Sequence, residues 1–186
     1  MKINIIKNKK IFLLVGIIIL IVIPLFILFG KNGLKINDNT IKTSTNFDPK
    51  KIIPGTTKEK DIEKALGKPV EKSGNILNYQ SNNPNSYNTV QVENGKVAFV
   101  KEIITSKIEK TKKDIVSEYG EPKYKLYGPY SNSGINLYIY PDKGLAFLGG
   151  DDFDSIQEIW YFPPTTFEDF KRTYAKDYSE TLKQYQ

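Results

Sequence analysis

The chain of 186 residues contains no cysteine and no histidine, and only one methionine and one tryptophan. Without cysteine there is no disulfide, no thiolate metal ligand and no lipid-modified N-terminal cysteine. Without histidine, the nucleophile–base pairs of most hydrolases and the common zinc ligand sets are missing. A catalyst made from this sequence would have to rely on carboxylates, Lys, Ser, Thr and Tyr, so the composition argues against an enzyme, and no cofactor is expected. Acidic charge is also absent from the first thirty residues, which hold four of the 27 Lys and Arg residues. The other 156 residues carry 23 basic and 21 acidic side chains. Most of the formal +6 is therefore local, and what remains leaves no footprint for a nucleic acid.

What is present begins with an apolar run. Residues 11–29, IFLLVGIIILIVIPLFILF, contain no charge and are long enough to cross a bilayer as a helix. Pro24 lies inside the run, where membrane spans tolerate it. The run reads as an uncleaved anchor; the alternative is a cleaved secretory signal, although Gly30-Lys31-Asn32-Gly33 offers no small-x-small site. Lys2, Lys7, Lys9 and Lys10 precede the run and only Lys31 and Lys35 follow closely, which favours a cytoplasmic segment 1–10 and an extracytoplasmic C-terminal domain. Residues 30–51 are polar and aperiodic, as a flexible linker would be.

Within the folded part, one pattern occurs twice. Lys60-Asp61-Ile62…Leu66-Gly67-x-Pro69 returns 53 residues later as Lys113-Asp114-Ile115…Tyr119-Gly120-x-Pro122. Thr56 with Glu59, and Thr111 with Asp114, are capping signals for a short helix, which Gly and Pro then end. Apolar-alternating runs follow each copy: 75–80, 88–93 and 96–105 after the first, 134–140, 145–149 and 155–162 after the second. Glu93-Asn94-Gly95-Lys96 marks a tight hairpin. After Pro163-Pro164, the stripe Phe167, Phe170, Tyr174, Tyr178, Leu182 and Tyr185 with a Thr165/Glu168 cap predicts a five-turn helix. The expected fold is α+β: an N-terminal transmembrane helix, then two tandem helix-plus-three-strand repeats, 52–105 and 106–163. Together they would form one antiparallel sheet with the helices on one face, followed by a C-terminal amphipathic helix, 164–186.

Pro54-Gly55-Thr56-Thr57, a short helix, Leu66-Gly67-Lys68-Pro69 and strands resemble the opening of the SmpA/OmlA family. The duplicated unit resembles the tandem repeat of β-lactamase inhibitory protein, whose fold superfamily includes SmpA/OmlA. Members of SmpA/OmlA carry a lipidated cysteine and usually one unit, whereas this chain has no cysteine and repeats the pattern. The resemblance implies a domain that binds other proteins rather than a catalyst.

Two groups of residues are candidates for a site. Tyr124, Tyr127, Tyr130, Tyr138 and Tyr140 fall within seventeen residues, and Tyr79 and Trp160 lie on other strand-like runs. If Leu137 and Ile139 pack under the helices, Tyr138 and Tyr140 face outward as a recognition surface. The alternative is aromatic pairing that only stabilises the sheet. Asp151, Asp152 and Asp154 form an acidic tip that could probe a basic partner, but it lacks the calcium-loop pattern, so no metal is expected. The expected function is a membrane-anchored, extracytoplasmic, non-catalytic module that binds another envelope protein, with a ligand or carbohydrate sensor as the alternative.

Overall fold

The computed structural model describes residues 47–105 and 110–182. The apolar run 11–29, most of the linker and Tyr185 lie outside them. Among the described residues, no helix is long and apolar enough to cross a membrane.

The first half runs through helix α1 (Glu59–Leu66) and strands β1 (Glu71–Ser73), β2 (Ile76–Gln80), β3 (Tyr87–Glu93) and β4 (Lys96–Ile103). The second runs through α2 (Lys112–Tyr119), β5 (Tyr124–Leu126), β6 (Ile135–Tyr140), β7 (Leu145–Gly150) and β8 (Ile156–Tyr161), and α3 (Phe167–Tyr174) follows. All eight strands form one antiparallel sheet in the order β1-β2-β3-β4-β8-β7-β6-β5. Exchanging the two halves leaves that order unchanged. They meet at a single ladder, β4 with β8, running from Val100↔Tyr161 to Ile103↔Glu158.

The repeated pattern produces the same local geometry twice. Gly67 (φ 81°, ψ −173°) and Gly120 (φ 79°, ψ −173°) end α1 and α2 in a backbone region that only glycine enters freely. Each donates its N–H to a carbonyl four residues back, at 2.8 Å. The Asn94-Gly95 hairpin has positive φ at both residues, 51° and 71°, as its dipeptide demands.

The architecture differs from the expected one in three ways. Each unit has four strands, not three. The additional ones, β1 and β5, are three residues long, and the exposed Glu71-Lys72-Ser73 has no apolar alternation to reveal it. Second, the side of the sheet opposite α1 and α2 is covered as well. Ile62 and Leu66 of α1 pack on Leu77, Tyr79, Val90, Val97 and Val100, and Ile115 of α2 packs on Tyr138, Tyr140, Phe147 and Ile159, all on one side of the sheet. Phe170 of α3 packs on Leu137, Ile139, Ala146 and Trp160, on the other side. Strands β6 and β7 are apolar on both sides and need cover on both, which a strict in–out alternation does not allow for. Third, α3 has eight residues rather than five turns. Ala175 ends it, and the chain then runs irregularly so that Ser179 can bridge Tyr127, with both backbone groups bonded at 2.7 and 2.8 Å.

Capping also differs. The Thr111/Asp114 box forms, with Asp114 N–H donating to Thr111 Oγ1 at 3.2 Å and Thr111 N–H to Asp114 Oδ2 at 2.8 Å. The Thr56/Glu59 box does not: the N-cap of α1 is Lys58, without a side-chain bond, while Thr57 Oγ1 accepts from Ile53 N–H at 2.7 Å. For α3 the pair is shifted by one, to Thr166 and Asp169.

Candidate functional site

The aromatic residues singled out in the sequence do not share a surface. Tyr138 and Tyr140 are buried beneath α2 rather than facing outward, because Leu137 and Ile139 pack against α3 on the opposite side. Tyr138 stacks on Phe147 at 4.9 Å, lies under Lys112 Nζ at 4.7 Å, and donates its hydroxyl to Asp151. Tyr140 donates to the carbonyl of Gly120 at 2.7 Å, which ties β6 to the end of α2. Trp160 is buried on the α3 side, donates to Glu158 at 2.8 Å, and meets Phe99 and Tyr178 edge-on. Tyr124 is part exposed but stacked on Phe167 at 4.1 Å, Tyr127 lies 5.0 Å from Lys125 Nζ, and Tyr130 projects from a loop at 59% exposure.

The acidic tip is a latch more than a probe. Asp151 accepts from the Tyr138 hydroxyl, from Asn136 Nδ2 at 2.9 Å and from Lys125 Nζ at 3.2 Å. Burial would raise its carboxyl pKa, but these three donors outweigh that and hold it below the usual carboxylate range. Asp154 accepts the N–H of Lys113 at 2.8 Å, within the first turn of α2, and only Asp152 and Phe153 reach outward without such a tie. No cluster of acidic residues suited to a metal ion occurs among the described residues.

Two further surfaces lie on the first half. On the side of β1–β4 opposite α1, Phe99 of β4 stacks on Tyr174 of α3 at 5.3 Å, and the polar side chains beyond it satisfy one another. Thr89 donates to Asn78 at 3.2 Å, Asn78 donates to Glu71 at 3.1 Å, and Lys101 faces Glu158 at 4.0 Å.

The other surface is a groove of about 540 Å³ between α1, the Asn94-Gly95 hairpin and the β1–β2 edge. Ile62, Pro69, Leu77 and Tyr79 supply its apolar part, and Lys58, Lys60, Glu63 and the Lys72–Glu59 pair (3.1 Å) its charged part. The floor exists because α1 turns Ile62 and Leu66 down onto β2, where Leu77 and Tyr79 alternate with outward-facing Asn78 and Gln80. Tyr79 is 4% exposed, and its hydroxyl has no hydrogen-bond partner among the described residues. Burial, reinforced by the charge of Glu63, pushes its pKa up to about 12. At neutral pH the group is thus a protonated donor without a partner among the described residues, and a buried donor left unmet costs about 1–3 kcal/mol. Of the aromatic set, Tyr79 alone combines burial, an unmet bond and a lined cavity. The sequence placed it among the candidates but gave no sign of the groove, which depends on β1.

No protein-family model matches the chain, and no curated protein matches it. A solved structure with a slight likeness is that of YjgB, a DUF4309 family protein from Bacillus subtilis: 14% identity over 66% of this chain and 95% of that one, with a TM-score of 0.41.

Proposed function

We propose that the chain is a membrane-anchored, extracytoplasmic, non-catalytic binding module that recognises another envelope protein through the groove beneath α1. The observation that carries this reading is the groove itself, where apolar Ile62, Pro69, Leu77 and Tyr79 meet Lys58, Lys60 and Glu63, with the buried Tyr79 hydroxyl unpartnered among the described residues. Buried polar atoms without partners are uncommon in native folds, so each calls for an account. The apolar run 11–29 and the lysines before it support the anchoring and the orientation. The absence of histidine and cysteine, together with the resemblance of the 53–69 segment to SmpA/OmlA proteins, supports binding over catalysis.

The test is in-cell crosslinking of the tagged full-length chain, compared with a Lys60→Glu/Lys72→Glu variant whose changes fall on exposed groove positions. The reading predicts an envelope protein that is captured by the native chain and lost from the variant. Capture that is identical for both would overturn it.

A further inference from the structure

We infer that the occupant of the groove is an extended peptide segment of a partner protein, laid along β1 as a ninth strand. The inference rests on the groove being the recognition site. Strand β1 is the outermost strand of the sheet, and no described strand pairs with its outer edge. Ser73↔Ile76 closes a two-residue turn in which Gly74 has φ 56°, so that pair is the hydrogen-bonded one nearest the turn. By the alternation of an antiparallel ladder, Lys72↔Leu77 is then a non-hydrogen-bonded pair, and the N–H and C=O of Lys72 point off the edge. The bond from Val70 N–H to the carbonyl of Asn78, at 2.8 Å, agrees with this phase. Lys72 also lines the groove, so the free edge and the cavity are continuous. A strand 4.7–4.9 Å outside β1 would pair with Lys72 through its backbone and turn alternate side chains toward Pro69, Leu77 and Ile62.

Tyr79 narrows the chemistry further. Its hydroxyl has no partner among the described residues and is a donor that a backbone amide carbonyl would match. A sugar could supply an acceptor too. Sugars, however, bind on open aromatic faces, and the Tyr79 ring is buried against Phe47, 5.5 Å away.

The experiment is selection from a random dodecapeptide phage library against the full-length chain, followed by affinity measurement of the synthetic winners on the native protein, Tyr79→Phe and Lys72→Pro. A parallel titration uses β-1,4-linked N-acetylglucosamine oligomers. Peptides bound at least tenfold more weakly by both variants, with the Lys72 amide protected from hydrogen exchange in the complex, are the expected result. Peptides sensitive to Tyr79→Phe but indifferent to Lys72→Pro would place a peptide in the groove without strand pairing and overturn the inference. Oligosaccharide binding that Tyr79→Phe abolishes, with no peptide selected, would overturn it while sparing the groove. Ligands of either kind that ignore Tyr79→Phe, or no ligand at all, would overturn both.

Discussion

At the scale of single residues, function and stability pull against each other at Tyr79 and act together at Asp151. The Tyr79 ring is a core residue in every packing sense, and its hydroxyl is a liability the core does not need. Asp151 holds the β7–β8 turn to β5 and β6 through three donors. Its folded pKa lies below the unfolded value of about 3.9, so the carboxylate's contribution is present in full above that value. It is lost as pH falls through the folded pKa. Melting temperature followed from pH 7 to pH 3 should decline steeply at the acid end for the native chain and more gently for Asp151→Asn, which should start lower at pH 7. Parallel curves would remove Asp151 from the latch. Legibility at this scale was mixed. Gly67, Gly120, Asn94 and Gly95 were readable because their backbone angles are set by local chemistry. The burial of Tyr138 and Tyr140 was not, because it depends on which helix covers which side.

Among the elements, helix ends give the sharpest contrast. Both repeats carry a Thr and an acid three residues apart, yet only Thr111 and Asp114 form a box, while Thr56 stands exposed with no bond from its side chain among the described residues. Thr111→Ala should cost about 1 kcal/mol and Thr56→Ala less than about 0.5 kcal/mol, measured by denaturant unfolding. Equal losses would contradict the assignment. The reason for the difference lies beyond the helix: an isolated bridge between Lys58 and Lys96 fixes the approach to α1, and Glu59 N–H donates to the carbonyl of Gly95 at 2.9 Å. The short edge strands escaped the sequence for a related reason. Three residues cannot show a period of two, and β1 is held by pairing with β2 rather than by its own composition. The candidate groove was therefore illegible too, since one of its walls is an element with no signal of its own.

For the whole molecule, residues from both halves must unfold together or apart at one ladder. Tyr161 on β8 is packed against the cores of both halves and donates to the buried Glu102 on β4 at 2.8 Å. Burial, and then the Glu102 charge, pushes its phenol well above the ordinary range, so the donor persists at all working pH values. Continuity of the sheet and this shared residue predict one cooperative transition, with coincident far- and near-ultraviolet melting curves, and a loss of about 1–3 kcal/mol for Tyr161→Phe. Two separable transitions would mean that the halves are independent repeats.

The central claim, that the groove beneath α1 is kept for a ligand, is tested most directly by the thermal melt of the unliganded full-length chain beside Tyr79→Phe. An unmet buried donor predicts that deleting the hydroxyl raises Tm by a few degrees, about 2–4 °C for each kcal/mol recovered. A fall in Tm would show that the hydroxyl is already satisfied within the protein, and the groove would lose its reason to bind.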